Sequence, residues 1–256
     1  HLDKLNSDIL VACYETGNVI QFPLESSGRL KVSKENYYHR GSGIVKNRQQ
    51  SPHPHQIAIQ PISNNIYICD LGIDFIKAYC LNGGSLCPVE NKDFKMPKGS
   101  GPRHLVFNKK GDLAYVLNEL SGAVSVLKNK NGRFKSLGSY SSLPEEYFGQ
   151  PSSSAIRLHP NGLFLYTANR VIEAITIFKI IEDELQLVCY HYTGGNELRE
   201  FNISPNGEWL IACHQNSHDV VVYRIIENGT LVEISRSKKI LSPVCVVFSG
   251  FNVIEN

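Results

Sequence analysis

The side chains with most chemistry to offer stand at two matched places in a repeating pattern. His55, Arg103, Ser154 and Arg199 follow one another at intervals of 48, 51 and 45 residues, and Glu119, Arg170 and Gln215 keep the last two of those intervals. A histidine takes up and releases a proton near neutral pH. Arginine keeps its charge in a protein and suits a developing oxyanion, a carboxylate or a phosphate. A glutamate can orient the imidazole or act as its partner. A scaffold needs no such variety at equivalent positions, so convergence of these groups points to a site rather than to packing.

Other chemistries find less support. His53-Pro-His55 and His214-x-x-x-His218 resemble metal-ligand spacings, but proline divides the first pair and no carboxylate or cysteine completes either set. No metal and no cofactor is expected. No phosphate-cradling glycine loop and no Ser/His/Asp motif is present. Taken singly, His104, His159 and His191 read as surface or packing histidines.

The elements that must position these groups show in the repeat itself. Gly111-Asp-Leu-Ala-Tyr115-Val-Leu-Asn118 returns in altered form as Gly162-Leu-Phe-Leu-Tyr166-Thr-Ala-Asn169, with counterparts at Tyr67 and at Gly207-Glu-Trp. Each unit reads as a short apolar strand (56–60, 105–108, 156–159, 201–204), a turn such as Pro160-Asn-Gly162, and a second apolar strand. An alternating third strand follows, as in Ala123-Val-Ser-Val-Leu127, then a hairpin such as Asn131-Gly132 and a polar outer strand. Four short antiparallel strands at this period predict an all-β fold, a β-propeller of four-stranded blades. A β-sandwich would not require so regular a repeat.

In a propeller the first strand of each blade lines the central channel. His55, Arg103, Ser154 and Arg199 then form one ring about it, and Tyr14, Leu71, Glu119, Arg170 and Gln215 a second. The chain is expected to supply about five blades, and Pro243-Val-Cys-Val-Val-Phe248 a lone closing strand. Residues 1–256 then form a single, N-terminally incomplete propeller domain, and ring closure needs further N-terminal blades.

Composition excludes some partners. With 26 basic and 24 acidic residues there is no charge footprint for nucleic acid, and no apolar run reaches the ~20 residues that span a bilayer. Seven cysteines without a CxxC pair fit a reduced, cytoplasmic chain better than a disulfide framework.

The motifs His53-Pro-His55, Gly99-Ser-Gly-Pro-Arg103-His104, Val116-Leu-Asn118-Glu119-Leu-Ser, Ala168-Asn169-Arg170, Gly194-Gly195 leading to Arg199, and Gln215-Asn-Ser span nearly the whole chain. In this order they resemble the lactonase family of seven-bladed propellers, which includes propeller-type 6-phosphogluconolactonases and carboxymuconate cyclases. The resemblance implies metal-independent hydrolysis of a small-molecule sugar lactone, as in the pentose phosphate pathway. It places His55, Arg103, Glu119 and Arg170 as catalytic residues, and we take Arg199, Gln215 and His104 as substrate contacts. Ala155 and Val171 stand where the family usually has glutamate and glycine. Two alternatives follow: a propeller that binds without turnover, and a muconate-type cyclase using the same arginines on a dicarboxylate.

Overall fold

A computed structural model describes residues 2–3 and 8–249. Among them are five antiparallel sheets whose strands neighbour one another in chain order. The first holds β1 (Leu2–Asp3), β2 (Asp8–Cys13), β3 (Asn18–Pro23) and β4 (Glu35–Tyr38). The second holds β5 (Pro54–Ile59), β6 (Ile66–Asp70) and β7 (Phe75–Asn82), with an outer edge broken into β8 (Ser85–Pro88) and β9 (Phe94–Lys95). The third runs through β10 (Pro102–Phe107), β11 (Leu113–Asn118), β12 (Ala123–Lys130) and β13 (Arg133–Ser141). The fourth runs through β14 (Ser153–Leu158), β15 (Phe164–Asn169), β16 (Ala174–Ile181) and β17 (Glu184–Tyr192). The fifth holds β18 (Leu198–Ile203), β19 (Trp209–His214), β20 (Asp219–Ile225) and β21 (Leu231–Ser237). This is the blade pattern of a β-propeller. Two compact units divide the chain after Ile156, within β14.

Period-2 alternation in the second strands builds the core of the first unit. Ile66 and Ile68 of β6 pack with Leu10, Val19 and Leu86, while Tyr67 and Cys69 pack with Leu105, Ala114 and Val116. One strand thereby serves two cores, and each such buried side chain contributes about 1.5–3 kcal/mol. The outer edge of the second sheet departs from the simple repeat at Pro88, which has no N–H to give a ladder. Beyond the end of β8, the Asp93 carboxylate accepts the Ala78 N–H at 2.8 Å.

The turn from second to third strand repeats in fine detail. Gly17, Asp74, Gly122, Glu173 and His218 each take a left-handed backbone, with φ of 69, 56, 68, 49 and 56°. Four of their carbonyls accept an outer-strand or post-strand N–H, from His39, Met96, Ser142 and Thr193, at 2.8–2.9 Å. A left-handed backbone disfavours side chains other than glycine. Asp74 and Glu173 offset that cost with carboxylates that bind backbone amides, Gly99 and Gly101 for one and Glu197 and Leu198 for the other.

Two expectations change. The first strands start earlier than the apolar runs suggest, at Pro54, Pro102, Ser153 and Leu198. They therefore include His55, Arg103, Ser154 and Arg199. The run Pro243–Phe248 is not a strand. A ladder needs a partner, and among the described residues none pairs with it; the Asn202 side chain donates to the Val246 carbonyl at 3.1 Å instead. Among the described residues no helix is long and apolar enough to cross a membrane.

Candidate active site

The first-strand column owes its geometry to a repeated defect in the ladder. In β5 the pairing with β6 shifts between Pro54 and Gln56, in β10 between Pro102 and His104, and in β18 between Leu198 and Glu200. The residues skipped are His55, Arg103 and Arg199. A β-bulge leaves its extra residue out of the alternation and re-aims its side chain. Three of the four column members are thus turned out of the strand's alternation by the same device.

The second column is tied to the first by a repeated backbone bond. Leu71, Glu119 and Gln215 each follow the last residue of a second strand. Each donates its N–H to the carbonyl two residues before a bulge, on His53, Gly101 and Glu197, at 3.1, 2.8 and 2.9 Å. Two glycines permit the close approach. A Cβ on Gly72 would lie 1.9 Å from the Ser51 carbonyl oxygen, and one on Gly101, at φ +61°, 2.5 Å from Leu120. The Asp70 carboxylate, fully buried and 2.5 Å from His39 Nδ1, accepts the His53 N–H at 2.8 Å and so seats the His53-Pro-His55 segment.

Within the first unit the side chains form a closed circuit. Arg103 Nε lies 3.0 Å from Glu119 Oε2, with 3 % of each side chain exposed. Arg48 reaches the other oxygen, Nη2 to Oε1 at 2.5 Å, with 38 % of its side chain exposed. Tyr14 adjoins Arg48 and helps to hold its charge. The Tyr14 ring stacks on His53 at 4.3 Å and meets His55 edge-on at 5.5 Å. His55 meets His104 edge-on at 5.2 Å, and Arg103 Nη1 closes the circuit 3.1 Å from His104 Nε2. Arg103 also donates to the Ser154 carbonyl. Burial works against the Arg48 charge, but the hydrogen bond to Glu119 and the nearby Tyr14 outweigh it and raise its pKa.

In the second unit Arg170 Nη1 lies 3.3 Å from Glu197 Oε1, beside Glu173. Burial pushes the Glu173 carboxyl up, against the pull of two backbone N–H groups. Arg199 and Gln215 occupy their places in this unit as bulge residue and post-strand residue. His214 is buried with Nε2 2.8 Å from Thr193 Oγ1, and His218 Nδ1 accepts the Ser242 N–H. Those two imidazoles have separate partners, the Thr193 hydroxyl and the Ser242 backbone.

His55, Arg103, His104 and Glu119 are therefore brought together in the first unit, and Arg170, Arg199 and Gln215 lie in the second. Arg48 belongs to the first group and escapes the sequence reading because it sits in the 43–51 loop, outside the repeat. Its place just ahead of His53-Pro-His55 is the signal that could have found it.

A family model described as "Lactonase, 7-bladed beta-propeller" matches residues 1–248. The chain belongs to this lactonase family. Among family relatives, a 6-phosphogluconolactonase of Bacillus subtilis is 32 % identical over 252 residues, covering 96 % of this chain and 71 % of the relative. A solved structure of a protein described as a putative 6-phosphogluconolactonase from Bacteroides fragilis superposes with a TM-score of 0.87 at 30 % identity, covering 95 % of this chain and 71 % of the other. The periplasmic gluconolactonase of Pseudomonas aeruginosa gives 0.88 at 28 % identity, covering 95 % and 70 %.

Proposed function

We propose that the protein hydrolyses 6-phosphogluconolactone to 6-phosphogluconate without a metal, with His55 as the proton-transferring group. The observation that carries this reading is the pair of bulges that set Arg103 on a buried carboxylate and His55 against His104, beside that arginine, in a chain whose relatives bear that enzyme's name. Water adds to the lactone carbonyl and gives its proton to the His55 imidazole. The tetrahedral oxyanion collapses, the bond from the carbonyl carbon to the ring oxygen breaks, and His55 returns the proton to the departing alkoxide. Glu119 supplies the fixed negative charge that Arg103 and Arg48 share. Arg103 and Arg170 are the guanidiniums for the developing oxyanion, and Arg199, Gln215 and His104 contact the sugar. The seven free thiols suit a cytoplasmic place for this reaction.

The test is turnover of 6-phosphogluconolactone by the protein and by its His55→Ala variant, followed by proton release. Loss of about 100-fold or more in the variant supports the assignment. Equal rates would favour a propeller that binds without turnover. Activity on a muconate with none on the lactone would favour the cyclase.

A further inference from the structure

The two guanidiniums on Glu119 are not equivalent. Arg103 is buried, with 3 % of its side chain exposed, and it is bonded to Glu119, to His104 and to the Ser154 carbonyl. Arg48 keeps 38 % of its side chain exposed and engages Glu119 and Tyr14. Glu119 brings one negative charge to two positive ones, so this part of the circuit carries a surplus positive charge on the member that solvent can reach. A strong anion is the complement of such an exposed guanidinium, since bidentate guanidinium–phosphate bonds are among the strongest polar contacts.

The loop that presents Arg48 is built, not slack. Arg48 and Gln49 both donate their N–H groups to the Val45 carbonyl, at 2.9 and 2.8 Å, and the Gly43 N–H returns to Gln49. The Gln49 side chain, 1 % exposed, donates to the Leu71 carbonyl at 2.8 Å and to Asp74 Oδ1 at 2.7 Å. Asp74 also accepts the N–H groups of Gly99 and Gly101 at 2.6 and 2.8 Å, and the Gly101 carbonyl receives the Glu119 N–H. One buried carboxylate thus fixes both the root of Arg48 and the backbone that carries Glu119. Preorganisation of this kind lets an arginine meet a ligand without first ordering its loop.

We propose that Arg48 receives the phosphate ester of the substrate and so sets the preference for a phosphorylated lactone; the proposal rests on the lactonase reading. Arg103 is left to the reacting carbonyl, and the fixed anion goes to the exposed residue.

The experiment measures kcat/KM of the parent, Arg48→Ala and Arg48→Lys on 6-phosphogluconolactone and on unphosphorylated glucono-1,5-lactone. The expected result is a ~10- to 100-fold fall in preference for the phosphorylated substrate in Arg48→Ala, partly restored in Arg48→Lys. An unchanged preference, whatever the absolute rates, overturns the proposal, because a residue that only positions Glu119 slows both lactones alike. Calorimetric titration with 6-phosphogluconate separates this outcome from failure of the lactonase reading. If the parent hydrolyses neither lactone yet loses at least 10-fold in product affinity on Arg48→Ala, the anion site stands and the enzyme reading falls. Equal affinities in parent and variant overturn the anion site itself.

Discussion

Arg103 and Glu119 meet at 3.0 Å with 3 % of each side chain left exposed, and Arg48 holds the second carboxylate oxygen from the outside. Breaking such a pair leaves a buried charge without its complement, which costs about 3–5 kcal/mol. Glu119→Gln is therefore expected to lower the urea midpoint of unfolding and to cut kcat at least 100-fold. A variant as stable as the parent would show that Arg103 and Arg48 find other partners.

For Arg103→Ala the expected loss is about 100- to 1000-fold in kcat, the range for an oxyanion donor. Steady-state kinetics decides it. Unchanged kcat with a raised KM would move Arg103 from the reacting carbonyl to ground-state binding.

The proton role of His55 predicts the shape of the pH profile as well as its height. In His55→Ala or His55→Gln the acidic limb of kcat/KM should vanish while the residual rate stays flat. An acidic limb that persists in both variants would assign the titration to another group.

Acid stability should follow His214. Burial holds its imidazole below the usual value, while the Asp219 carboxylate raises it and Arg236 lowers it. Because the folded value is depressed, the unfolded chain binds the extra proton first, and stability falls as pH drops through about 6.5. Asp219 adds to the same trend at lower pH. Burial alone would raise it, but the Ser217 hydroxyl, His214 and Arg236 bring it below the ordinary carboxylate value. His214→Asn installs the residue type found at the equivalent Asn118 and Asn169, and is expected to flatten the stability profile between pH 7 and 5. What slope remains belongs partly to His191, whose imidazole burial also holds low. Denaturant midpoints at several pH values test this.

Gly72→Ala asks whether backbone approach matters to the site. A methyl 1.9 Å from the Ser51 oxygen forces the segment carrying His53 and His55 to move. Overpacking of this kind costs about 1–3 kcal/mol, and kcat/KM should fall with it. A stable, fully active variant would show that the segment shifts without disturbing His55.

The repeat made much of this legible. Tyr67, Tyr115 and Tyr166 mark second strands because each lies buried in an apolar run bounded by turn residues, and the asparagines after them locate Glu119 and Arg170. The bulges were not legible, since Pro54, Pro102 and Leu198 end polar stretches that carry no period. The sheet nevertheless begins at them, and His55, Arg103 and Arg199 fall inside the strand rather than ahead of it. Arg48 belongs to no repeat, so alignment of the units passes over it. Pro243–Phe248 was expected to stand alone, and with no partner among the described residues it forms no strand there, because an apolar, β-branched run needs another edge to pair with.

The bulges also bear on how such a protein changes its trade. At 55, 103 and 199 the ladder resumes on the next residue whatever side chain the bulge carries, as imidazole at the first and guanidinium at the others attest. These positions behave as sockets of one local shape, repeated from sheet to sheet. A library randomised at 199 alone should therefore yield folded proteins at high frequency.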